Sequence, residues 1–222
     1  EKNGSDDTYK PSQMPHAISE IESTDANAIV QSVADGTICG EYTIQSASIR
    51  EKAFNECPNL QKIRLPELTQ IPADAFMNCS GLKYVYAPKA SATKSSAFNS
   101  CVALEKVHMP KVTDMESSSF KFCSGLRIGK FNMLNYCSSG AFISCTKLVA
   151  LVICTTNCTI SNTNVLFDTP IAKGAGYVYV PDNAVETYKT ATNWNTYANQ
   201  IKGLSEIPSE IRRELEELEN DS

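Results

Sequence analysis

The residues of this 222-residue chain best suited to nucleophilic, redox or metal chemistry are nine cysteines and two histidines. Their spacing argues against a reaction centre. Cys154 and Cys158 form a C-x3-C pair, but no second pair follows at the interval a zinc site needs. No C-x-x-C, phosphate-binding glycine loop, G-x-S-x-G or H-E-x-x-H occurs. His16 and His108 have no nucleophile or carboxylate placed beside them by any motif. The sequence therefore predicts no enzyme activity, no cofactor and no metal site. Cys57, Cys79, Cys101, Cys123 and Cys145 recur every 22 residues. That regularity predicts a packed column of small apolar thiols rather than reactive groups. Stacked side chains project in parallel, whereas a disulfide needs converging Cβ atoms. Cys137 and Cys158 lie outside the column and 21 residues apart, so a bond between adjacent coils is a separate hypothesis.

A second kind of chemistry is recognition, and here the strand register matters. The alternating stretch Leu60–Leu65 sends Leu60, Ile63 and Leu65 one way and Lys62 and Arg64 the other. Carried along the repeat, that register points Lys62, Arg64, Tyr84, Tyr86, Lys106, His108, Ile128 and Lys130 outward, then Ala150, Val152, Tyr177 and Tyr179. The first four rungs carry five groups that are or can be cationic, and no acid. Lysine and arginine attract acidic groups, and tyrosine supplies rigid amphipathic contact area. The candidate ligand-binding face is Lys62, Arg64, Tyr84, Tyr86, Lys106, His108, Lys130, Tyr177 and Tyr179, suited to a protein or glycan ligand. The same residues are also ordinary strand-surface types that need no ligand. The apolar rungs Ile128, Ala150 and Val152 call for a cover, either a tail segment or an interface.

The elements that must hold this face follow from the repeat. Phe54, Phe76, Phe98, Phe120 and Phe142, and Leu60, Leu82, Leu104, Leu126 and Leu148, keep the cysteines' interval. The unit reads A-F-x-x-C-x-x-L-x-x-I-x-L-P. Its I-x-L part is a short strand ended by proline, and its A-F-x-x-C part is read as one helical turn with Phe and Cys inside. One such coil cannot bury its apolar face alone; stacking coils buries it and lets strands pair in parallel at about 4.8 Å. Gly129 and Asn132 weaken the fourth coil, the segment 158–176 is a longer terminal coil, and a degenerate first coil lies around 42–49.

The unit resembles that of the BspA-like leucine-rich repeats of bacterial cell-surface proteins, over about residues 42–181. The run Gly176-Tyr177-Val178-Tyr179-Val180-Pro181, with Asn193-Trp194 after it, looks like the usual end of such arrays. The resemblance implies an α/β fold, a right-handed leucine-rich-repeat solenoid of about six to seven coils with a parallel sheet. It also implies a secreted or surface-exposed adhesion or binding protein that uses the outer strand face.

The remaining segments complete a four-part layout: a tail and helical cap over 1–40, the repeats over 41–181, a helical cap over 182–205, and an acidic helix over 206–222. Ser12 can cap a helix carrying Met14, Ile18 and Ile21, with Ala28, Ile29 and Val33 in a second. Val185 and Tyr188 mark one C-terminal helix, and Trp194, Tyr197 and Ile201 another. From Ser209 the stripe Ile211, Leu215, Leu218 runs along a helix whose six acids and two arginines account for −4 of the chain's net −5. That stripe either packs on the preceding cap or serves as an oligomerisation or docking helix. Two heptads are too short to stand alone as a coiled coil.

Composition sets the outer bounds. With 42% hydrophobic and 20% charged residues the chain is globular. Its acidity argues against nucleic acid as a partner, and no apolar run reaches membrane-helix length. Its start at Glu1 suggests a processed chain and by itself says nothing of compartment; the resemblance implies an extracellular or cell-surface bacterial location. A structural part of a phage particle or other assembly, contacting its neighbours through the C-terminal helix, is the alternative.

Overall fold

In each repeat the period-two stretch becomes a strand because its apolar residues can turn inward together while the alternate residues face out. The computed structural model describes residues 40–220. These strands are β1 (Gly40–Thr43), β2 (Leu60–Arg64), β3 (Tyr84–Tyr86), β5 (Lys106–His108), β7 (Ile128–Phe131), β9 (Ala150–Ile153), β11 (Tyr177–Val180) and β12 (Ile201–Gly203). All pair in parallel, in two four-stranded ladders ordered β1-β2-β3-β5 and β12-β11-β9-β7. The break falls between β5 and β7, where the repeat weakens. Gly129 has a role there: a Cβ added to it would lie 3.0 Å from Cε2 of Phe131. The missing side chain makes room for the Phe131 ring, which stands 6.1 Å from Phe120 and 6.0 Å from Phe142.

A second parallel ladder was not anticipated. After the proline turn, β4 (Ala92–Thr93), β6 (Asp114–Met115), β8 (Tyr136–Cys137) and β10 (Thr159–Ile160) stack in order. Its inward residues Met115, Cys137 and Ile160 are buried. The column Ile71, Thr93, Met115, Cys137 carries the 22-residue signal for it.

The A-F-x-x-C segment is a turn, not the helical turn expected. The residue just before each segment and the one just before its Cys adopt positive φ: Asp74 (53°) and Asn78 (62°), Ser96 (55°) and Ser100 (62°), Ser118 (59°) and Phe122 (62°). These left-handed corners block helix continuation and aim the Phe amide at the next coil. Phe54 N–H donates to Ala75 O at 2.7 Å, and Phe76, Phe98 and Phe120 repeat the bond at 2.8 Å. The rings stack face to face at 5.1–5.5 Å and are wholly buried.

The cysteine column lies beside the rings. Each thiol from Cys79 to Cys145 donates to the Phe carbonyl of the preceding coil, at 2.9–3.0 Å. Burial raises the pKa of Cys123 and Cys145, the latter to about 12. Cys137 and Cys158 are both buried free thiols, not a disulfide.

The long segment after β10 loops out, so β9 still pairs with β11 (Leu151 opposite Val178). Val165 and Leu166 fill the place of the Ala-Phe pair, and Val165 O accepts from Phe142 N–H at 3.0 Å. Beyond β11, helix α1 (Val185–Thr190) and a 3-10 segment (Trp194–Gln200) bring Tyr188, Trp194 and Tyr197 onto the end of the core. Tyr188 Oη donates to Thr155 O (2.8 Å) and accepts from Cys158 N–H (2.9 Å), and Trp194 Nε1–H donates to Cys158 O (2.7 Å). Ile201, expected on a helix, instead lies in β12, which extends the ladder. The chain then turns through Ile207 and Pro208 into helix α2 (Ser209–Asn220). The N-terminal helices expected around Met14 and Ile29 lie outside the described residues.

Candidate binding face

The outward residues of successive strands line up in two rows because parallel pairing is in register. One row runs Lys62, Tyr84, Lys106 and resumes as Ile128, Ala150, Tyr177; the other runs Arg64, Tyr86, His108 and resumes as Lys130, Val152, Tyr179. The residues named from sequence thus line up outward within each ladder, and β5 contacts β7 across the break.

Its two halves differ. On β2, β3 and β5 the groups are cationic and aromatic. The Arg64 guanidinium lies 5.4 Å from the Tyr84 ring centroid and 5.2 Å from that of Tyr86. Tyr86 stacks on His108 at 5.2 Å with planes 17° apart. Lys62 pairs with Glu41 at 2.6 Å. Lys62, Arg64, Tyr86, Lys106 and His108 are half-buried, but Tyr84 is only 5% exposed. Its ring supports the arginine more than it meets solvent.

On β7, β9 and β11 the face is apolar, and α2 lies over it. Ile211 and Leu215 bury against Ile128, Ala150, Val152 and Tyr179, with Tyr177, Leu204 and Ile207 at the margin. The helix starts near β11 and crosses β7 toward β5. Arg127 pairs with Glu214 at 2.5 Å, and Lys130 pairs with Glu219. Tyr179 is 1% exposed as a result, and Lys130 is ion-paired. So Ile211 and Leu215 cover the apolar rungs of their own sheet, with Leu204 of the preceding cap packed at the margin. Leu218 lies in the same helix, with its side chain outside the described set.

Charge at the join is finely placed. His108 faces Glu219 and Lys130 where α2 ends; burial holds its pKa below the ordinary histidine value, Lys130 lowers it further, and Glu219 opposes both. Tyr177 is half-buried, with Lys202 Nζ 4.0 Å from its ring centroid.

Arg127, Lys202, Glu214 and Glu219 escaped the sequence reading. Lys202 follows Ile201, whose spacing from Trp194 and Tyr197 reads as a helix, although Ile201-Lys202-Gly203 sits 23 residues after Val178-Tyr179-Val180, close to one repeat. The acids of α2 were visible, but nothing local says which surface they meet 87–89 residues away. Among the described residues no group of three or more metal-ligating side chains gathers, and no helix is long and apolar enough to cross a membrane.

Of the comparisons with known proteins, the family match agrees with this architecture. The family described as "BspA type Leucine rich repeat region" matches residues 47–168 in six copies. Among solved structures, the chain is similar to the crystal structure of a leucine-rich repeat protein from T. pallidum, with 16% identity, a TM-score of 0.49, and coverage of 80% of this chain and 82% of that one. No curated protein matches. The chain belongs to the BspA-type leucine-rich repeat family, whose repeats are in general non-enzymatic protein-binding modules.

Proposed function

We propose that this BspA-type repeat chain is a non-enzymatic binding module at the surface of a bacterium, or secreted from one, and that it engages an acidic protein through the outward strand face. The repeats act as a solenoid of about six to seven coils, closed by helical segments, that displays one long rigid surface. Arg64, Tyr86, Lys106 and His108 form its core, with Lys62 at the edge. The carrying observation is that the same face already holds an acidic helix, α2, through Arg127 and Lys130. An anionic glycan would use the same cations and ring planes; the seated helix favours a protein. The surface location rests on the family, and an adhesion role on the exposed rigid face. A particle component that contacts neighbours through α2 would first need that helix released from the sheet.

The test is binding of the full chain to arrays of acidic peptides and anionic glycans. Arg64→Glu with Lys106→Glu should weaken capture of the acidic peptides about tenfold or more, since paired charges at an interface carry specificity and on-rate. Capture unchanged in that variant, with the fold intact, removes the strand face as the site.

A further inference from the structure

Helix α2 is joined to the rest of the molecule more loosely than any strand beneath it. Its anchors, Ile211 and Leu215, belong to an apolar cluster separate from the one that holds the phenylalanine column. Its polar ties to the sheet are partly exposed ion pairs: Arg127 and Glu214 are 45% and 38% exposed, Lys130 and Glu219 26% and 51%. Pairs of that exposure are weak and screened by salt. Arg212 Nη2 reaches back to Leu204 O (3.4 Å) and Ile207 O (3.5 Å), which ties the helix to its own approach rather than to the sheet. The helix can therefore lift as a unit without breaking the main core.

What it would leave behind is specific. Ile128, Ala150, Val152 and Tyr179 form a contiguous apolar platform with Arg127 and Lys130 at its edge, in direct continuation of the rows that carry Arg64, Tyr86, Lys106 and His108. A bare patch of this kind is poorly tolerated in water. The shape and charge that satisfy it are those of α2: apolar residues at i and i+4 (Ile211, Leu215) and carboxylates at i+3 and i+8 (Glu214, Glu219).

We infer that the ligand of the strand face is an acidic amphipathic helix of a partner protein, and that α2 is a place-holder this helix displaces from β7, β9 and β11. The inference rests on the strand-face reading above and names the partner's chemistry. Its mechanism is competition: α2 enjoys the high effective concentration of a tethered ligand, so a partner must match its pattern and extend it onto the cationic rows.

The probe is a fluorescent peptide of residues 207–222, added to the full-length chain. In the full-length I211D/L215D variant α2 cannot seat, and the peptide should bind at least about tenfold more tightly than to the unaltered chain, because no tethered competitor remains. Adding R127E and K130E should abolish that binding. A folded I211D/L215D chain that does not bind the peptide, or binds it no better than the unaltered chain, overturns the inference. If that variant does not fold, hydrogen exchange on the unaltered chain decides: amides of α2 should exchange at least about a hundredfold faster than those of β9. Exchange of α2 together with β9 would overturn the displaceable helix. The Arg64→Glu, Lys106→Glu array result is independent of the peptide, so failure of the partner class and failure of the binding face are told apart.

Discussion

Phe98 sits between Phe76 and Phe120, its ring 5.3 Å and 5.1 Å from theirs, with no exposed surface. Truncating it removes stacking on both sides and leaves a hole the rigid coils cannot close. Phe98→Ala should cost about 3–5 kcal/mol in denaturant unfolding; a near-neutral result would mean the column is not packed as described. Tyr188 works through its hydroxyl, which serves Thr155 O and Cys158 N–H together. Tyr188→Phe leaves a buried N–H without its acceptor and should cost about 1–3 kcal/mol in the same assay. Phe122 departs from its column. It holds φ 62° with its ring 43% exposed. Asparagine tolerates that conformation far better, so Phe122→Asn should raise stability by up to about 1 kcal/mol. A lower melting temperature would show that the Lys121–Phe122 ring contact outweighs the backbone strain.

At the scale of elements, the turns set how closely coils approach. A Cβ on Gly81 would stand 2.1 Å from Pro58 O, a backbone atom that cannot swing aside. Gly81→Ala should therefore lower stability by about 1–3 kcal/mol in thermal melts, as overpacking does. What was legible in the sequence follows the same division. The Phe, Cys and Leu columns fixed the coil and the outward register of β2, β3 and β5, because a 22-residue interval repeated in several residue types admits one stacking. The ladder of β4, β6, β8 and β10 was harder to see: its two-residue strands have no alternation to read. The A-F-x-x-C stretch bounded by the corners at Ser96 and Ser100 reads as a helical turn because compact apolar spacing is common to both, and positive φ at serine leaves no composition signal. The placement of α2 was illegible for another reason. Amphipathicity says that a stripe must be covered; only the fold says that the cover is Ile128, Ala150 and Val152.

For the whole molecule, the buried thiols link stability to pH. Cys145 and Cys158 are pushed from about 9 to about 12, chiefly by burial, and Cys123 and Cys137 are also raised. Their neutral forms are favoured in the folded state. The stability that Cys145 and Cys158 contribute is fully present below about pH 9 and is lost as pH rises toward 12, because the unfolded chain gives up these protons first. Each such thiol costs about 1.4 kcal/mol per pH unit over that window. Melting temperatures in reductant should be flat from pH 7 to about 9 and be falling by pH 10. No fall by pH 10 would mean that the column is wet.

A stacked array of this kind is in principle free to gain or lose whole 22-residue coils, since each contacts only its neighbours. Helix α2 removes that freedom from one stretch. At 12 residues it is about 18 Å long, close to the roughly 14 Å from β11 to β5 across three strand spacings. Its carboxylates are set for Arg127 and Lys130 at that reach. Excising one coil between β7 and β11 would leave those cations about one strand spacing short of their carboxylates; inserting one would carry them as far beyond. The tail thus behaves as a ruler laid along the array, and coil number can drift over evolution more freely among the coils before Arg127 than among those after it.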